Sequence, residues 1–114
     1  MEIKVIKEKI SKDEVKKLAE ASFGDMVKIV IDIKREIMAI GGEMHADAEN
    51  LLLQDGSKQD DLWGANLYPD LPAEDFIEYK SLINIRPRVG NRLMEIGNEE
   101  IKEKIKKIIN KLVV

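Results

Sequence analysis

The apolar positions of this chain change period several times, and each change marks an element. Ile3 and Val5 alternate with polar residues, the period of a short strand. "SKDE" (Ser11–Glu14) follows. Ser11 can accept from the Glu14 amide while Glu14 reaches back, a capping box. Val15, Leu18, Ala19 and Ser22 then share one helical face. Gly24 can take the left-handed conformation that closes a helix, so the pattern predicts a first helix over 12–22. "MVKIVIDI" (Met26–Ile33) and "IMAIGG" (Ile37–Gly42) flank a polar "KRE" and predict a hairpin. Their density of Val and Ile argues against one continuous helix there.

Further along, Asp47 is a good N-cap, and Asp55-Gly56 punctuates the end of an expected helix of about two turns over residues 47–56. "LWGANLY" (Leu62–Tyr68) reads as a strand, with Gly64 as a bulge or a close-packing point. Pro69 and Pro72 mark a loop. "FIEYKSLINIR" (Phe76–Arg86) reads as a long strand that Pro87 ends. Asn98 caps the clearest helix of the chain, with Glu99 and Glu100 in its first turn and a stripe of Ile101, Ile105, Ile108, Ile109 and Leu112. The expected fold is α+β in two layers. An antiparallel sheet of hairpins is covered by an N-terminal and a C-terminal helix, with one short helix besides, and residues 1–114 form a single domain.

Composition narrows the function classes. Apolar residues make up 44% of the chain and charged residues 36%, which suits a globular domain rather than a disordered one. There is no cysteine, so disulfides, thiolate catalysis and iron–sulfur chemistry are excluded, and a reducing cytoplasm is the expected location. The N-terminus has no apolar signal core, and no apolar run approaches the roughly 20 residues of a membrane span. The net charge of −3 hides an asymmetry: residues 41–75 carry nine acidic side chains and one basic, whereas residues 76–114 carry nine basic and five acidic. These regions are expected to meet, with Arg86, Arg88 or Arg92 beside Asp60, Asp61 or Glu43.

Two stretches carry candidate chemistry. "GGEMHADAENLL" (Gly41–Leu52) holds the only histidine, His45, between Glu43 and Asp47. One imidazole with two carboxylates suits a divalent metal or acid–base work, although zinc usually takes more than one His or Cys. The competing interpretation is a strand-to-helix turn, or a helix starting at His45 that puts His45 and Glu49 on one face. "NIRPRVGNR" (Asn84–Arg92) gathers Arg86, Arg88 and Arg92 around a Gly90-Asn91 turn, and guanidinium forks suit phosphate or carboxylate. "DGSKQDD" (Asp55–Asp61) fails as a calcium loop, because Asp60 stands at the glycine position and Asn66 at the closing glutamate. Trp63, Tyr68, Phe76 and Tyr79 are expected in the hairpin core, with a ligand-lining role for Trp63 and Tyr68 as the minority alternative.

The motifs GGE-x-HAD, DLWG-x-NLYP and N-x-RP-x-x-GNR occur together and in order, and with the closing amphipathic helix they span nearly the whole chain. In this the chain resembles a family of short prokaryotic proteins known only as a domain of unknown function. It departs from the family pattern in placing Leu93 after GNR, where a small or polar residue is usual. The resemblance implies a stand-alone bacterial or archaeal domain and brings no activity. It marks Glu43, His45, Asp47, Trp63, Asn66, Arg86, Asn91 and Arg92 as site candidates. The expected function is a small binding or interaction module that meets an anionic ligand or an acidic partner through the arginine-rich turn. Nucleic acid has weaker support, since the chain is acidic overall and has few aromatic residues for stacking. The alternative is a hydrolase-like or nuclease-like enzyme built on Glu43, His45 and Asp47. No cofactor is expected beyond a divalent metal in that alternative. No membrane association is expected, and a homodimer stays open.

Overall fold

The structure, a computed structural model, describes residues 2–114. Strand β1 (Ile3–Ile6) leads to helix α1 (Lys12–Ser22), whose N-cap is Ser11, accepting from the Glu14 amide at 3.1 Å. Only this half of the expected capping box is recorded; the Glu14 carboxylate instead accepts from Lys4 Nζ at 3.0 Å. Gly24 follows the helix at φ +93°. Strands β2 (Val27–Asp32) and β3 (Ile37–Gly41) form the expected hairpin, and β4 (Leu62–Leu67) pairs with the other edge of β2. A short β5 (Ile77–Glu78) completes an all-antiparallel sheet in the order β1-β3-β2-β4-β5.

Alternation along the strands sends side chains to two cores. Val27, Ile29, Ile31, Trp63, Ala65 and Leu67 cluster with Val15 and Ala19 of α1 and with Ile105, Ile108, Ile109 and Leu112 of α3 (Glu99–Leu112). The two long helices thus cover one face, as expected. Val30, Ala39 and Leu62 cluster with Ala48 and Leu52 of helix α2 (His45–Gln54), so the short helix covers the opposite face.

Two boundaries differ from the sequence-based expectation. Helix α2 begins at His45 instead of after Asp47, which sits exposed in the first turn. The reason is packing: His45, Ala48 and Leu52 form the buried stripe, and the helix must include His45 to complete it. The long strand expected over Phe76–Arg86 is only two residues long. Beyond Glu78 the chain leaves the sheet through 3-10 turns at Leu82–Asn84 and Pro87–Val89. Serine and asparagine drive this, because their side chains compete for the backbone's hydrogen bonds. Ser81 Oγ accepts from the Ile83 amide at 3.2 Å. The Asn84 side chain stands in for the missing strand, with Oδ1 accepting from Gly64 N at 2.8 Å and Nδ2 donating to Gly64 O at 2.9 Å. Gly64 is a close-packing point, since a Cβ there would lie 2.5 Å from Ser81 Cβ.

Candidate functional site

The arginine-rich turn is built from the inside. Arg86 is buried at 8% exposure, with its Nη2 donating to Leu62 O and lying 3.5 Å from Glu49 Oε2 on α2. Its guanidinium stands 5.0 Å from the centre of the Trp63 ring, within cation–π range. Burial lowers its pKa from the ordinary guanidinium range, though a guanidinium stays charged in any protein. Arg88 is exposed and paired with Asp60. The acidic and basic regions therefore touch, at Arg88–Asp60 as expected and at Arg86–Glu49, a pairing not among those expected. Arg92 is exposed. Asn91 is buried and clamps the loop: Nδ2 contacts the carbonyls of Asn84, Leu93 and Glu95 at 2.7, 2.9 and 3.0 Å, and Oδ1 accepts from Gly97 N at 2.9 Å.

These bonds invert the usual polarity of the segment. Ser81, Asn84, Arg86 and Asn91 point inward and are buried, while Leu82, Ile85, Val89 and Leu93 are exposed at 66%, 43%, 47% and 71%. The inward polar groups fix the backbone, and the loop carries its four outward apolar groups, here called the ridge, among the exposed Lys80, Arg88 and Arg92. Met44, exposed at the start of α2, lies near it across a shared cleft with Leu82.

That cleft holds His45. Its floor is a row of neighbours on three strands, Lys28 opposite Asn66 and Asn66 opposite Glu78. Its roof is the first turn of α2. Gly41 and Gly42, at φ +112° and +88°, turn the chain from β3 into that helix, and Met44 at the N-cap offers no side-chain acceptor. The His45 ring lines the cleft, with Nε2 bonded to Ala65 O at 2.8 Å. A carbonyl can only accept, so Nε2 carries the proton. Burial pushes the ring's pKa below the ordinary 6.5, against the opposing effect of the Ala65 carbonyl, and the neutral form is favoured near neutral pH.

The structure brings His45 and Asn66 together and places Arg86, Arg88 and Glu49 around an adjacent cleft, separated from the first by Leu82 and Ile83. Glu43 and Asp47 are exposed, and the Glu43 carbonyl accepts from Lys28 Nζ at 2.8 Å. Among the described residues no group of three or more His, Asp and Glu side chains is placed to hold a metal ion. Trp63 is buried in the core shared with α1 and α3. Sequence reasoning missed Lys28 and Glu78, which only strand register brings beside Asn66. It also missed the exposed leucines, although the alternation of polar and apolar residues through 81–93, read with the polar set inward, carries that signal.

No helix among the described residues is long and apolar enough to cross a membrane. Comparison with curated proteins and with solved structures finds no match. A family model described as "Protein of unknown function (DUF5674)" matches residues 4–112, nearly the whole chain, and the protein belongs to that family.

Proposed function

We propose that the domain is a protein-interaction module that docks an acidic partner on the ridge of the 82–93 loop. The observation that carries this is the inverted polarity of the loop. Four large apolar side chains stand in water within twelve residues, in a domain whose other strand and helix faces bury theirs completely at many positions. Single exposed apolar residues are ordinary, but four on one short loop, with charged side chains among them, are the kind of group that marks an interaction surface. A slack loop would fold such side chains inward. Asn84, Arg86 and Asn91 hold this one in place, so a partner would meet a preorganised surface and lose less entropy on binding. Lys80 and Arg92 are exposed beside these side chains, and Arg88, though paired with Asp60, adds to the positive charge, which favours an acidic partner.

The test is site-specific photo-crosslinking from Leu93 in cells carrying the full chain, with Lys107 on the outer face of α3 as the control position. The expected result is a discrete adduct from position 93, absent from position 107 and lost when Arg88 and Arg92 are both changed to Glu. The docking role is overturned by no adduct, by equal adducts from both positions, or by an adduct indifferent to the charge reversal.

A further inference from the structure

The face that carries the ridge holds an apolar knob and an apolar-walled cleft side by side. Leu82, 66% exposed, stands at the rim of the His45 cleft, which measures about 380 Å³ and has Met44, Ile83 and Met94 in its walls. Methionine adapts its shape to an incoming apolar group. The polar groups of the cleft are engaged inside the chain. His45 Nε2 is bonded to Ala65 O, Asn66 Nδ2 donates to Glu78 Oε1 and Lys80 O, and Lys28 Nζ donates to Glu43 O. What the cleft offers a visitor is its apolar walls.

The same face is divided by charge. On the α2 side, Glu43 and Asp47 are exposed and form no ion pair among the described residues. On the loop side stand Lys80, Arg88 and Arg92, offset in part by Asp60, which pairs with Arg88, and by Glu95, which faces Lys80 across a bridge. One half is therefore acidic and the other carries a basic excess.

A two-fold axis beside Leu82 would join these features. It would set the Leu82 of each copy against the cleft that borders the Leu82 of the other. It would also set acidic half against basic half twice, because an isologous contact pairs residue i with j and j with i. A patch of one sign repels itself across such an axis, whereas a divided patch is self-complementary. The net charge of −3 opposes association only weakly, since salt screens charges beyond about 8 Å.

We infer that the acidic partner of the ridge is a second copy of this chain, in a two-fold dimer with the Leu82 of each copy in the cleft of the other. The inference rests on the docking role proposed for the ridge and names its partner. The apolar contact supplies the affinity, and the charges fix the orientation.

The experiment is sedimentation equilibrium of the full chain and its variants, alone and mixed. The parent is expected to form a reversible dimer with a Kd of about 100 μM or tighter. Leu82→Glu should weaken it at least tenfold. Glu43→Lys with Asp47→Lys makes both halves basic, and Arg88→Glu with Arg92→Glu makes both acidic. Each of these variants alone should dimerise at least tenfold more weakly than the parent. Their equimolar mixture should form a heterodimer at least as tight as the parent dimer, because every contact then joins opposite signs. A parent that stays monomeric at about 1 mM overturns the inference. So does a charge variant that dimerises alone as the parent does, or a mixture of the two, each folded by circular dichroism, that stays monomeric. Crosslinking from position 93 separates this inference from the docking role. An adduct of twice the chain mass supports both. An adduct of another mass from a monomeric parent keeps the docking surface and removes the second copy as its occupant.

Discussion

Asn84→Ala is expected to remove about 4 kcal/mol of stability, from one to three for each buried partner left unpaired, less what water recovers at the sheet edge. Three backbone groups lose their partner at once: Gly64 N and Gly64 O, bonded at 2.8 and 2.9 Å, and Met94 O, bonded at 3.0 Å. Gly64 is in the middle of β4, and Asn84 is fully buried beside it. A small domain is stable by about 5–15 kcal/mol, so one side chain would account for a large part of the total. Urea unfolding should show the midpoint falling with little change in slope. Asn84→Asp makes the cause specific. It keeps the acceptor for Gly64 N but sets a carboxylate against two carbonyls, and should be at least as damaging. A loss under about 1 kcal/mol in both variants would mean that the Asn84 amide does not replace a strand.

Arg86→Leu should cost about 3 kcal/mol, the usual range for breaking a buried charged pair, whereas Arg92→Leu should stay within about 0.5 kcal/mol. Leucine leaves Leu62 O without its donor and Glu49, 13% exposed, without its counter-charge. It also removes the cation above Trp63. One term acts in the opposite direction: Arg86 Nη1 is buried without a partner, and its removal relieves that cost. Thermal melts of both variants under one buffer separate the two arginines. Because the Arg86–Glu49 pair is shielded from solvent, its contribution should also persist in high salt, unlike that of the exposed Arg88–Asp60 pair. Equal melting points for the two variants would mean that Arg86 is as free as Arg92.

The parts of the fold set by local chemistry were legible in the sequence. Ser11 and Asn98 cap their helices as their positions suggest, and the β-branched runs on either side of "KRE" form the hairpin. What failed depended on distant partners. "FIEYKSLINIR" has the composition of a strand, yet Ser81 and Asn84 turn their side chains to the backbone and end the pairing after Glu78. Arg86 reads as a surface charge until Leu62, Trp63 and Glu49, from two other elements, are seen around it. His45 was visible as a candidate because it is unique, and Asn66 because it sits in a motif. Their meeting, and the presence of Lys28 and Glu78 on the same floor, follows from strand register, which pairs residues twelve and thirty-eight apart.

The central claim is that the 82–93 loop is a rigid mount that holds apolar side chains in water. Backbone ¹⁵N relaxation on the free protein tests it most directly. The expected result is order parameters near 0.85 from Ser81 through Leu93, equal to those of β4, with the Asn84 and Asn91 side-chain amides as ordered as the backbone they bind. Values below about 0.6 across Ile85–Leu93 would contradict it, because a flexible loop could bury those side chains in solution and would present no fixed surface to a partner.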